Sequence, residues 1–138
     1  MLELCDHILK NYPKLTNQVS RWQLLSLLDR NEDRVVIIKE NEKIKGSALY
    51  LQLTDETLWQ IKYGFIDLKN PETVNRMLRE QGDNIHFLYV LADGVKTILR
   101  GLREVIKKEN PKTVSWYNPE MTKFNKFNLK ERTKCPQS

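Results

Sequence analysis

Apolar positions along this chain change period several times, and each change marks an element. Leu2, Cys5, Ile8, Leu9 and Tyr12 recur at helical spacing, which predicts a helix over residues 2–11, ended by Pro13. Ser20 stands as an N-cap before a second helix, with Trp22, Leu25 and Leu28 along one face and Leu24 and Leu27 widening it. The polar cluster from Asp29 to Asp33 stops that helix. Val35-Val36-Ile37-Ile38 is a continuous β-branched run and reads as a well-buried strand. After a polar turn, residues 44–54 alternate, with Leu49, Leu51 and Leu53 on one face and Tyr50 and Gln52 on the other. The pair predicts an antiparallel hairpin, with Gly46 a candidate bulge. Residues 55–70 fit a strand extension or a helical turn, and Lys62-Tyr63-Gly64 breaks either. Asn70 and Pro71 open another helix, with Val74, Met77 and Leu78 as its apolar face and Gly82-Asp83 as its end.

The stretch from Asn84 to Leu129 says most about function. Residues 85–92 are apolar on both faces and predict a central strand covered on both sides. Asp93-Gly94 then turns the chain into a helix over residues 95–108, where Val95, Ile98, Leu99, Leu102, Val105 and Ile106 form an apolar stripe. Asn110-Pro111 stops it, and residues 113–117 alternate as a last clear strand. This strand–helix–strand order is a βαβ unit. Its strand-to-helix turn presents backbone N–H groups and a helix N-terminus, which suit a phosphate.

Charge strengthens that picture. The net charge is +5, but from Gly94 onward 11 Lys/Arg face 4 Asp/Glu, giving +7, while residues 1–93 hold 12 against 14, giving −2. The cationic half is the half with the glycine turn, and it would attract a phosphate-bearing ligand or nucleic acid. A solvated helix face with a basic tail has the same composition. Apolar content of 40% and charged content of 30% fit a globular domain. No run approaches a membrane span, and the acidic opening Met1–Asp6 lacks the form of a signal peptide, so a cytoplasmic protein without membrane association is expected. Cys5 and Cys135 are far apart and form no CxxC, so neither a disulfide framework nor a metal site is expected.

The order of elements, with the turn Ala92-Asp93-Gly94-Val95-Lys96-Thr97-Ile98-Leu99, resembles the GNAT superfamily of acyl-CoA N-acyltransferases. The resemblance implies an α/β fold, a single-domain GNAT-like mixed β-sheet flanked by helices, over residues 1–130, with 131–138 a basic flexible tail. The family's turn has the form (Gln/Arg)-x-x-Gly-x-(Gly/Ala) and holds the coenzyme A pyrophosphate. Gly94 matches its first glycine, Leu91 stands at the Gln/Arg position and Lys96 at the second small one. The resemblance therefore implies acetyl-CoA or coenzyme A held by Leu91, Ala92, Gly94, Val95, Lys96, Thr97 and Ile98. Asp93 adds a negative charge beside that site. After the next strand, Asn118–Leu129 can be laid without gaps on the family pattern Asn-x-x-Ala-x-x-x-Tyr-x-x-Gly-Phe. Asn118 matches and joins the cofactor-binding set. Met121 replaces the small residue, and Asn125 replaces the Tyr that protonates the leaving thiolate. An amide cannot donate that proton as a phenol can.

The catalytic candidates are then Tyr117, with Tyr89 as the alternative, as a substitute acid, and His86, as a general base or as a strand histidine hydrogen-bonded near the sheet end. The implied activity is acyl transfer, acetyl for instance, to an amine-bearing small molecule or protein. The amine attacks the thioester directly, with a backbone N–H of Tyr89–Ala92 polarising its carbonyl. Two alternatives stand beside it: a non-catalytic interaction module on the same frame, and a nucleic-acid-binding protein. The tail, where Phe124 and Phe127 alternate with Lys123, Lys126, Lys130, Arg132 and Lys134, suits nucleic acid. It also suits a final strand with Phe side chains inward and lysines in water. Asp55 and Glu56 read as turn-capping residues more than as bases. The Lys- and Asn-rich composition suits a phage-related protein.

Overall fold

The computed structural model describes residues 1–12, 20–67, 70–118 and 122–129. The expectations on Pro13, Met121, Cys135 and the tail 131–138 lie outside the described residues. Among the described residues the helices are α1 (Leu2–Asn11), α2 (Arg21–Arg30), α3 (Asp55–Lys62), α4 (Pro71–Met77) and α5 (Val95–Glu109). The strands are β1 (Val35–Glu40), β2 (Lys43–Leu53), β3 (Asn84–Ala92), β4 (Thr113–Tyr117) and β5 (Phe124–Asn128). They form one mixed sheet in the order β1-β2-β3-β4-β5. β1 pairs antiparallel with β2, β3 parallel with β4, and β4 antiparallel with β5. No helix among the described residues is long and apolar enough to cross a membrane.

Local chemistry sets the boundaries. Ser20 and Gln23 form a reciprocal capping box at the start of α2. Asn70 accepts from the Glu72 N–H at 3.0 Å, with Pro71 in the first turn of α4. The ambiguous stretch 55–70 opens as helix, because the Thr54 side chain caps α3 at the Thr57 N–H. That helix ends in a Schellman turn: Phe65 N–H donates to Gln60 O at 2.8 Å and Gly64 N–H to Ile61 O at 3.1 Å, with Gly64 at φ +76°. The β1–β2 hairpin turns on Asn41 and Glu42, both at positive φ, as a two-residue type I′ connection requires.

The described residues divide into two compact units, those of Met1–Leu49 with Val90–Arg103 and those of Tyr50–Tyr89 with the described residues from Glu104 onward. In the first, α1 packs on α2 through buried Leu4, Cys5, Ile8, Leu24 and Leu28. Each of these Leu and Ile side chains stabilises the fold by about 1.5–3 kcal/mol when fully buried. Gly101 brings α5 over Val36 and Ile38 of β1, and a Cβ there would meet both at 3.7 Å. In the second unit, Tyr50 donates to Glu109 at 3.1 Å and Gln52 donates to the same carboxylate, fixing the end of α5 over β2. Leu58 and Ile61 bury α3, and the Tyr117 hydroxyl donates to Ile61 O at 2.8 Å.

Five expectations are corrected. The buried face of α2 is Leu24 and Leu28, while Trp22 is 78% exposed. Only Ile38 of the run 35–38 is buried, because β1 is an edge strand. β3 is central, but only Asn84–Phe87 are buried, since pairing with β4 ends at Phe87↔Trp116 while β3 runs on to Ala92. Along α5 only Val105 is buried, and Val95, Ile98 and Leu99 are exposed. The final strand is present as β5, with Phe124 half-buried and Phe127 exposed. Residues three apart in a strand face opposite ways, so the two rings could not both turn inward.

Candidate functional site

In the first unit, the strand-to-helix turn is built on a bulge. β1 and β2 pair Ile38 with Gly46 and then Lys39 with Ile44, leaving Lys45 as the extra residue. The carbonyl of Lys45 accepts from the Asp93 N–H at 3.1 Å. The Asp93 carboxylate accepts from the Thr97 hydroxyl at 2.9 Å and lies 3.8 Å from the Lys45 ammonium. The Asp93 carboxylate therefore has two partners within the turn, while about half of it stays exposed. Gly46 is the other half of the joint. A Cβ there would lie 2.7 Å from Thr97 Cγ2, 3.1 Å from Leu91 O and 3.3 Å from Ala92 Cβ. Only a residue without a side chain lets the turn sit this close to β2.

The outer side of the turn is open. A Cβ on Gly94 would meet nothing within 4 Å. Lys96, two residues on, is exposed and makes no ion pair among the described residues. The Ile98 N–H bonds back to Gly94 O at 3.2 Å, closing the first helical turn and leaving the earlier N–H groups without that kind of partner. Leu91, Ala92, Gly94, Val95, Lys96, Thr97 and Ile98 therefore lie together around one open helix start. Leu91, Ala92 and Thr97 are half-buried, and the rest are exposed.

In the second unit, His86 and Tyr117 come together. His86 is 1% exposed, and its Nδ1 lies 2.8 Å from Ser115 Oγ, which itself donates to Ile85 O at 3.4 Å. That chain assigns the proton to Nδ1. The imidazole stacks on Phe124 with centroids 5.8 Å apart and meets the Tyr117 ring edge-on at 6.0 Å. Burial pushes the His86 pKa down to about 4, so it is neutral at pH 7 and a weak base. Burial raises the Tyr117 pKa, and its proton is already given to Ile61 O. Asn118 is engaged as well. Its Oδ1 accepts from the N–H groups of Thr122 and Lys123 at 2.8 and 3.0 Å, bracing the β4–β5 connection. Asn125 lies in β5 opposite Trp116.

Asp55 is neither a turn cap nor a free base. It accepts from Lys112 Nζ at 2.7 and 2.8 Å and from Asn84 Nδ2 at 2.8 Å. These hydrogen bonds, Lys112 first, hold its carboxyl below the usual range. Asn84 is buried and also donates to Leu53 O and accepts from Thr113 Oγ1, so the cluster ties α3 to the starts of β3 and β4.

Sequence reasoning missed Lys45, Ser115 and the Ile61 carbonyl, and it singled out Phe124 only as part of the tail, not as the ring that stacks on His86. A glycine inside a strand was the one available signal, and it pointed to the bulge but not to what the bulge holds. No local pattern says which strand residue stands opposite His86.

No family model matches the chain, and no curated protein matches it. Among solved structures it is similar to GphF, a GNAT-like decarboxylase in complex with isobutyryl-CoA, with 11% identity and a TM-score of 0.51. The match covers 85% of this chain and 58% of that one. The chain has a GNAT-like fold. Within that GNAT-like fold, the turn keeps a glycine at position 94, while Leu91, Lys96 and Asn125 depart from the pattern to which the sequence was compared.

Proposed function

We propose that this chain binds an acyl-CoA at the Gly94 turn and serves as an acyl-CoA-dependent N-acyltransferase. The observation that carries the reading is the open, braced helix start. Gly94 has free space above it, and Asp93, whose charge would repel a phosphate, is tied to Thr97 and Lys45. The first N–H groups of α5, which have no helical partner, and the helix dipole face that opening, with the exposed Lys96 in the same first turn, and such groups suit a pyrophosphate. The ligand of the similar solved structure, isobutyryl-CoA, belongs to the same chemical class. The thioester supplies an activated acyl group, which the amine takes up as a C–N bond forms and the C–S bond breaks. The contribution of this chain is to hold the phosphates and to offer N–H groups from the part of β3 that has left β4, where a carbonyl can be polarised.

A second reading, binding without catalysis, is favoured by the commitment of Tyr117 to Ile61 O and by the burial of His86. Calorimetric titration of acetyl-CoA, isobutyryl-CoA and coenzyme A, with Gly94→Trp as the blocked variant, tests the site. Saturable binding lost in Gly94→Trp supports it, and no heat at millimolar ligand sinks it. Release of free thiol from acetyl-CoA in the presence of an amine panel then separates transfer from binding alone.

A further inference from the structure

Helix α5 carries two parallel rows that neither the fold nor the acyl-CoA reading uses in full. Val95, Leu99, Leu102 and Ile106 recur at i+4, i+3 and i+4, so they share one flank. Val95 is 70% exposed and Leu99 46%, with Ile98 beside them at 43%. Displaced by one residue, Lys96, Arg100, Arg103 and Lys107 repeat the same spacing and form a ridge along the border of the apolar row. All four cations are exposed, and none makes an ion pair among the described residues.

We infer that this flank of α5 docks an acidic amphipathic helix of a partner protein. The apolar spacing is that of a helix-packing seam, which a second helix fills by setting its own side chains between these. The charge chooses the occupant. The ridge carries four cations against one carboxylate, Glu104, four residues after Arg100, and this positive excess calls for Asp and Glu along the matching edge of the incoming helix. A second copy of this chain would bring the same cations against the ridge, which is repulsive. A bilayer would find only this narrow row of aliphatic side chains, without the exposed aromatic residues typical of an interfacial helix face.

The test uses the full chain and a labelled designed peptide of about 18 residues, with Leu along one helical stripe and Glu beside it. A sister peptide carries Lys in place of Glu. Fluorescence anisotropy should show the Glu peptide binding at least about tenfold more tightly than the Lys peptide, and less tightly as salt rises. Leu99→Glu and, separately, Arg100→Glu with Arg103→Glu should each weaken binding by about tenfold or more. These positions are exposed and lie outside the proposed phosphate site, so coenzyme A titration of the same variants reads the acyl-CoA proposal independently, and Gly94→Trp should leave peptide binding intact. Equal binding of the two peptides, or binding indifferent to the variants, overturns the inference. So does self-association that is lost in Leu99→Glu, or co-sedimentation with phosphatidylserine vesicles in the absence of peptide binding.

Discussion

Gly46→Ala is the sharpest test of how the turn is built. The new methyl carbon would stand 2.7 Å from Thr97 Cγ2, 3.1 Å from Leu91 O and 3.3 Å from Ala92 Cβ, where ordinary contacts lie near 3.5–4.0 Å. Thr97 can rotate only by giving up its 2.9 Å bond to Asp93, and the Leu91 oxygen is backbone. Overpacking of this kind costs about 1–3 kcal/mol. Against it, Gly→Ala restricts the unfolded chain and returns about 0.4–1 kcal/mol. The net expectation is a loss of about 1–2 kcal/mol, or a fall in Tm of roughly 3–8 °C for a chain of this size. Thr97→Ser deletes Cγ2 but keeps the hydroxyl that bonds Asp93. In the Gly46→Ala background it should recover about half of the loss, the contact with Leu91 O remaining. Gly94→Ala is the matched control, since its methyl meets nothing, and it should stay within about 1 kcal/mol of the parent. Urea and thermal unfolding of the four variants measure this directly. The packing argument fails if Gly46→Ala is as stable as the parent, or if Thr97→Ser adds to its loss instead of compensating.

Three other outcomes follow from the same structure. Gly82→Ala would place a Cβ 2.1 Å from the Leu53 carbonyl, entirely against backbone, so it should cost more than Gly46→Ala and show as the lowest urea midpoint of the series. Glu42 sits at φ +66° in the hairpin turn; Glu42→Gly should relieve left-handed strain and raise stability by about 1 kcal/mol, read as a higher urea midpoint with unchanged slope. His86 has a folded pKa of about 4 against 6.5 unfolded, so between these values the unfolded chain binds more protons. Stability is complete above pH 6.5 and falls as the pH drops toward 4, by about 3 kcal/mol in all. In His86→Phe with Ser115→Ala, which removes both polar partners, that part of the pH profile should flatten, and an unchanged profile would show that another group causes it.

Much of this chain could be read locally because local physics sets it. The caps at Ser20 and Asn70, the hairpin, the βαβ order and the glycine turn depend on residues within a few positions of one another, and each stands where the pattern placed it. The α3 stretch was undecided because its helix signal is two turns long, and its stop needs Gly64 at positive φ, which a sequence permits but does not announce. The turn residues 91–98 were legible as a unit for the same reason. Local spacing brings them together.

What escaped was whatever depends on partners distant in sequence. The apolar residues of 35–38 say nothing of whether a strand is central or at an edge, and the stripe of α5 says nothing of how much of it the sheet covers. His86 alone does not reveal that Ser115, Tyr117 and Phe124 enclose it, nor that its pKa falls as a result. Sequence by itself determined the elements, their order and the place to look for an anion, because backbone propensity and periodicity act over a few residues. Only the tertiary structure decided which side chains are buried, which protons are committed and which glycine must stay bare, because desolvation and close contact are set by neighbours that the chain brings together from far apart.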